Sequence, residues 1–236
     1  MLYNAIIKRT LLTPGGFFTY PAARLGNMAG CSGVRTAFWK KKAILRLIQV
    51  NLHALHADTL TQYEAVIKTC QAVFKKKTQD YGTAWRILRL PSMTDQIMIK
   101  AQRIRAIQEH KAQRIQEGIA TELVGIVNYS VMALMQLGLQ EDKRMELTYD
   151  ELAPLYAEVI AATTALLHNK NHDYQEAWRA MRLGSITDII LMKLLRVKRI
   201  EDNQGATLAS EGVAANYQDI INYAVFGLIK LDQQGE

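Results

Sequence analysis

The chain contains two copies of one segment, and this duplication constrains its fold more than any other feature. A shift of 93 residues aligns Asp80–Arg86 with Asp173–Arg179, with Asp, Tyr, Ala, Trp and Arg identical in both. After one added residue the correspondence resumes, so that Asn128 meets Asn222. Because polar and apolar positions recur together, the pattern indicates a tandem duplication. Residues 62–231 are therefore predicted to form two related units.

Each copy is predicted to contain three helices. In residues 63–77 apolar side chains recur at helical spacing, and the period-two alternation of strands is absent. Pro91 marks a boundary before the second helix, and the third helix, Ile119–Leu137, is apolar on more than one face. Since a three-helix unit cannot cover that surface alone, the copies are expected to pack about an approximate two-fold axis. The predicted fold class is all-α, a helical bundle of two tandem three-helix repeats.

Predicted boundaries follow from this pattern. The first repeat covers 58–137, the second covers 155–231, and the polar segment 138–154, which contains Pro154, is the linker between them. Residues 1–57 precede the repeats and are interrupted by glycine and proline. We interpret them as a disordered or targeting-like extension.

The net charge of +7 comes from this extension. Every basic residue of 1–57 precedes the first acidic residue, Asp58, and the rest of the chain carries nearly equal numbers of basic and acidic residues. This distribution does not favour a general nucleic-acid surface on the folded part. Two cysteines cannot build a disulfide framework, and no apolar run reaches membrane-spanning length. The sequence therefore favours a cytoplasmic protein without a membrane span, and it leaves oligomerisation open.

Charged residues that keep their identity in both copies are the candidates for a binding site. A core requires only that apolar residues recur, whereas these charges recur as well. Lys100 and Arg103 lie one helical turn apart, so both can reach one anionic group, for which phosphate is the natural candidate. Tyr81 and Trp85 offer aromatic surfaces on which a base can stack. The predicted substrate-binding residues are Lys77, Asp80, Tyr81, Trp85, Arg86, Lys100, Arg103, Lys170, Asp173, Tyr174, Trp178, Arg179, Lys193 and Arg196.

The same residues also have a structural interpretation. Asp80 with Arg86, or Asp95 with Arg103, could form ion pairs that fix the interface between the repeats, and the two repeated tryptophans could be core residues. Motifs of phosphate-binding loops, zinc proteases and serine hydrolases are absent from the sequence. No catalytic residue is therefore predicted.

The third helix of each copy carries one carboxylate, but the two are displaced by a turn. In the second copy Asp219 shares a face with Phe226, whereas Gly125 and Met132 take these places in the first copy and Glu122 lies one turn earlier. The two sites are therefore expected to be unequal. Oxygen ligands suit Mg²⁺. If the protein hydrolyses a nucleotide, the predicted metal ligands are Asp95, Glu122, Asp188 and Asp219.

The repeated segment resembles the nucleotide modification associated domain 1 family of helical domains. The resemblance rests on the residues from Lys77 to Arg103, on Asn128-Tyr129, and on their counterparts from Lys170 to Tyr223. It implies a link to nucleotide or modified-base metabolism, with a nucleotide or another phosphate-bearing small molecule as partner.

A weaker resemblance is to the all-α nucleoside triphosphate pyrophosphohydrolases of the MazG type. It implies Mg²⁺-dependent hydrolysis, although the paired Glu-x-x-Glu and Glu-x-x-Asp pattern of those enzymes is missing. The alternatives are a non-catalytic module that senses a nucleotide or binds a protein, and a purely structural scaffold. A functional cleft is expected where the repeats meet.

Overall fold

The computed structural model describes residues 59–110, 118–174, 176–207 and 211–234. The predicted extension 1–57 lies outside them. Within the described ranges the chain forms α-helices and two short 3-10 helices, with no strand, which confirms the all-α prediction. The α-helices are α1 (59–81), α2 (Leu90–His110), α3 (Ile119–Gly138), α4 (Tyr149–Tyr174), α5 (Leu183–Asp202) and α6 (Val213–Gln234).

The order of these elements repeats. In the first copy α1 is followed by the 3-10 helix Ala84–Ile87, α2 and α3, and in the second α4 is followed by the 3-10 helix Ala177–Ala180, α5 and α6. The bundle therefore consists of two tandem three-helix repeats, as predicted.

The core is formed by both copies together. Helices α3 and α6 pack against each other, α2 packs on α3, α5 packs on α6, and α2 meets α5. Ile126 and Val127 of α3 and Ile220 and Ile221 of α6 are fully buried in one continuous apolar cluster. In the described part of the chain, α3 alone is long and apolar enough to cross a membrane by length and composition, and 56% of its apolar window is buried in the bundle. Here α3 serves as a core helix.

Two buried hydrogen bonds cross between the copies and relate them by the pseudo-two-fold axis. Tyr63 of α1 donates its hydroxyl proton to Asn222 Oδ1 of α6, and Tyr156 of α4 donates to Asn128 Oδ1 of α3, both at 2.9 Å. Burial raises the pKa of both tyrosines, so their hydroxyl groups remain protonated donors. The first helix of each copy is therefore tied to the third helix of the other.

The interface between α2 and α5 follows the same symmetry. Asp95 pairs with Lys198 at 2.7 Å, and its counterpart Asp188 pairs with Arg105 at 2.5 Å. All four side chains are largely exposed, so the pairs contribute little stability and chiefly mark the register of the interface. Two hydrogen bonds repeat the pattern: Thr94 to Glu201 and Gln108 to Thr187.

The boundary predicted between linker and second repeat differs from the structure. Helix α4 begins at Tyr149, inside the predicted linker 138–154, and it includes Pro154. A capping box starts the helix, because the backbone N–H of Thr148 donates to Glu151 (2.8 Å) and the Glu151 N–H donates to the Thr148 hydroxyl (3.3 Å). The Thr-x-x-Glu pattern of a capping box is visible in the sequence, whereas Pro154 favours a linker at this place.

We expect fragment 148–236, which retains α4 to α6 and the capping pair, to self-associate or to remain molten. It exposes the apolar face of α6 and leaves Asn222 without Tyr63, whereas residues 58–236 should unfold in a single transition. Circular dichroism melting and gel filtration of the two proteins measure this. A monomeric, cooperatively folded fragment 148–236 would contradict the shared core.

Candidate functional site

The first copy encloses a cavity of about 880 Å³ between the C-terminal part of α1, the first 3-10 helix, α2 and α3. All its described lining residues belong to this copy, whereas a smaller cavity of about 410 Å³ lies where the copies meet, between α1, α3 and α6. The predicted site residues that line the larger cavity are Lys77, Tyr81, Trp85, Lys100 and Glu122.

A left-handed turn places the aromatic side of the cavity. Gly82 ends α1 with φ of +60°, and its N–H donates to the carbonyl of Thr78 at 2.9 Å. The positive φ favours glycine here, and a Cβ at Gly82 would lie 2.5 Å from Glu146 Oε2, so a larger residue would have to displace the Glu146 carboxylate. Tyr81, just before this turn, is 61% exposed on the cavity wall, and Trp85 follows it half-buried.

A buried carboxylate organises the basic side of the cavity. Glu122 is 3% exposed, and its two oxygens accept from Lys100 Nζ at 3.2 Å and from the Arg103 guanidinium. Lys100 Nζ also lies 5.9 Å from the ring centre of Tyr129. A buried carboxylate needs such compensation, so Glu122 holds both basic side chains in place. Lys77 lines the same cavity, is exposed, and has no ion-pair partner among the residues that the structure describes.

The second copy uses the counterparts of these residues differently. Asp219 is 4% exposed and accepts from Lys170 and Lys193, each at 2.5 Å. Trp178 is buried and stacks on Phe226 with ring centres 4.3 Å apart and planes within 4°. The equivalent lysines and tryptophan are therefore occupied by other side chains of the protein. The basic and aromatic side chains are therefore arranged differently in the two copies.

Arg196 lies at a separate cavity of the second copy. This cavity, of about 640 Å³, is also lined by Lys193, Arg199 and Asn216. Asn216 occupies the position of Glu122, and it donates to the carbonyl of Gly212 at 2.9 Å instead of contacting a basic side chain. Arg196 therefore does not share a carboxylate with Lys193 in the way that Arg103 shares Glu122 with Lys100.

The two repeated arginines near the tryptophans, proposed from the sequence as substrate ligands, hold the chain together. Arg86 is buried, and it donates to Gln136 Oε1 at 2.6 Å and to the carbonyls of Arg144 (3.2 Å) and Asp142. Arg179 contacts Glu176 and the first turns of α1, and lies over the Trp178 ring. Arg86 thus connects its 3-10 helix to the segment that precedes α4, and Arg179 connects its 3-10 helix to the first turns of α1.

The remaining predicted ligands are Asp80, Asp173 and Tyr174. Asp80 and Asp173 are exposed, and Asp80 is not among the residues that line the cavity. Tyr174 ends α4, and its side chain lies outside the described part of the structure. The cavity instead contains Gly125 and Tyr129, which the sequence placed on one helix face with Asn128 and which were left out of the predicted site. Their spacing from Glu122, three and seven residues, was the available signal.

The four predicted metal ligands are not brought together. Asp95 and Asp188 form the exposed ion pairs between α2 and α5, while Glu122 and Asp219 lie in different copies and are each paired with two basic side chains. Among the described residues no group of three or more His, Cys, Asp or Glu side chains could hold a metal ion. The predicted Mg²⁺ site is therefore not assembled from this set.

Comparison with known families agrees with this architecture. The pattern of the nucleotide modification associated domain 1 family matches residues 77–137 and again 170–231. These two matches cover more than half of the chain, so the protein belongs to this family, in tandem copies. No curated protein and no solved structure matches the chain.

We expect Arg86→Lys to lower the free energy of unfolding by about 2 to 4 kcal/mol, because an ammonium group cannot reproduce the divergent hydrogen bonds of the buried guanidinium. Urea denaturation measures this loss. The matched control is Arg89→Lys, which changes an exposed arginine on the same segment and should stay within about 0.5 kcal/mol. Equal stability of the two variants would contradict the structural role of Arg86.

Proposed function

We propose that the cavity of the first copy binds a nucleotide. Lys77 carries this proposal, because it is a basic side chain on the cavity wall without a carboxylate partner in the described structure. A ligand anion would supply that partner. Membership of a family named for nucleotide modification supports the same ligand class.

The walls of the cavity suit the other parts of a nucleotide. Tyr81 and Trp85 provide aromatic surface on the cavity wall, and stacking on such surfaces accepts any base. The volume of about 880 Å³ lies within the usual range for small-molecule sites. An apolar, aromatic wall with a few charged groups at one side is typical of such pockets.

The charges of the cavity favour binding over hydrolysis. Glu122 is the only carboxylate among the described residues that line this cavity, and Lys100 and Arg103 already occupy both of its oxygens. A Mg²⁺ ion held by the protein needs at least one free carboxylate beside the ligand's phosphates. Since Glu122 does not fit that role, the proposal assigns nucleotide binding and derives no hydrolytic step.

We expect Lys77→Met to weaken nucleoside triphosphate binding about tenfold or more, since a charge-assisted hydrogen bond contributes about 1.5 to 3 kcal/mol. Tyr81→Ala should weaken it comparably, because stacking on one base contributes about 1 to 3 kcal/mol. Isothermal titration calorimetry with a panel of canonical and modified nucleoside triphosphates measures both effects.

Matched controls separate these effects from general changes in charge and surface. Lys76→Met removes a neighbouring exposed lysine of α1 that does not line the cavity, and Ile87→Ala truncates an apolar side chain that is 74% exposed. Neither should change the affinity. If Lys77→Met and Lys76→Met bind equally well, the cavity is not the nucleotide site.

The alternative of a pyrophosphohydrolase is tested by screening the same triphosphates for Mg²⁺-dependent release of pyrophosphate. We expect binding without turnover, because no cluster of free carboxylates is assembled in the described part of the cavity. Mg²⁺-dependent turnover that is lost in Glu122→Gln would establish the enzymatic alternative instead.

A further inference from the structure

The second copy contains an anion bound between two lysines, and that anion is its own side chain. Asp219 Oδ1 accepts from Lys170 Nζ and Asp219 Oδ2 accepts from Lys193 Nζ, each at 2.5 Å. The carboxylate is almost completely buried. The geometry is that of a two-lysine site closed over one anionic group.

The first copy keeps the two lysines, but its buried carboxylate, Glu122, pairs with Lys100 and Arg103 and leaves Lys77 without an anion. The counterparts of Lys170 and Lys193 are Lys77 and Lys100, and both line the cavity. The counterpart of Asp219 is Gly125, where a Cβ would lie 2.9 Å from two carbons of the Lys100 side chain and 3.2 Å from its Nζ. The Lys100 side chain therefore packs directly on Gly125, where a side chain at position 125 would lie.

We infer that Lys77 and Lys100 form an anion subsite for a phosphate group of the ligand, and that Asp219 is the built-in equivalent of that phosphate in the second copy. This inference rests on the proposed function and narrows it, because it assigns the phosphate end of the nucleotide to Lys77 and Lys100 within the cavity. The base is then directed to Tyr81 and Trp85.

The aromatic half of the second copy is closed in the same way. Phe226 stacks flat on Trp178, and the first copy has Met132 at that position beside the half-buried Trp85. A flexible thioether leaves the face of a tryptophan more accessible than a stacked ring does. Because the counterparts of the first copy's anion position and aromatic face are both filled, the second copy binds no nucleotide at that place, and each chain binds one.

The test uses the full chain with inorganic tripolyphosphate, a probe that has phosphate groups and no base. Gly125→Asp places in the first copy the carboxylate that the second copy carries. We expect it to weaken tripolyphosphate binding at least about tenfold in calorimetry, because the new carboxylate competes with the phosphate groups for Lys77 and Lys100. Folding is checked by the melting temperature, which should not fall, since the second copy accommodates the same side chain between its lysines.

The matched control is Gly138→Asp, which adds the same charge to the other end of α3, where an added Cβ meets no atom. It should bind tripolyphosphate as the unaltered protein does. If a folded Gly125→Asp protein also binds with unaltered affinity, the subsite is refuted. Where Gly125→Asp does not fold, Lys100→Met removes one of the two lysines instead, and undiminished tripolyphosphate binding by this folded variant refutes the subsite.

Stoichiometry tests the closed second copy. One tripolyphosphate per unaltered chain is expected, and the double variant Asp219→Gly, Phe226→Met should bind a second one. Two equal sites in the unaltered chain would overturn the inference. If Tyr81→Ala weakens nucleotide binding but Gly125→Asp does not, the subsite alone is refuted. If Gly125→Asp abolishes tripolyphosphate binding but Tyr81→Ala leaves nucleotide binding unchanged, the nucleotide proposal alone is refuted.

Discussion

The crossed hydrogen bonds between tyrosine and asparagine are the constraint on which the rest of the structure depends. A buried asparagine with an unpaired carbonyl is costly, so Asn128 and Asn222 each require a donor in the middle of an apolar core. Each finds it on the first helix of the other copy, through Tyr156 and Tyr63. Asn128 also donates from its amide to the backbone carbonyl of Cys70 on α1 at 2.9 Å, so α3 is fixed to both first helices at once. The position of α1 against α3, which forms two walls of the cavity, follows from these contacts.

The duplication made the architecture predictable, but it misdirected the choice of site residues. Apolar spacing and the recurrence of whole segments predicted helices and a shared core correctly. Fixed charge identity in both copies suggests ligand binding, yet Arg179, Asp95 and Asp188 contact the other copy, and Arg86 binds the segment that connects the copies. A pseudo-two-fold interface uses every contact twice, so it retains its charged partners in both copies for structural reasons alone.

Positions at which the copies differ carry more information about the site than positions that they share. Gly125 aligns with Asp219, and Met132 aligns with Phe226. These differences are visible in the sequence. The position of Asp219 between two lysines and the stacking of Phe226 on Trp178 are not, because both depend on how α6 is rotated toward α4 and α5. That rotation is set by the buried face of α6, which packing against α3 determines.

The two copies balance a similar set of charges in different ways. Each copy has one buried carboxylate and three of the repeated basic side chains. Glu122 forms ion pairs with Lys100 and Arg103 but not with Lys77. Asp219 forms ion pairs with Lys170 and Lys193 but not with Arg196. Moving the carboxylate by one helical turn therefore selects which basic group remains for an external anion. In the second copy that group, Arg196, lines a cavity whose described lining does not include Trp178, while in the first copy Lys77 shares a cavity with Tyr81 and Trp85. On the proposed function, one copy stabilises itself with its own side chains, and the other gains the equivalent stabilisation only when its ligand binds.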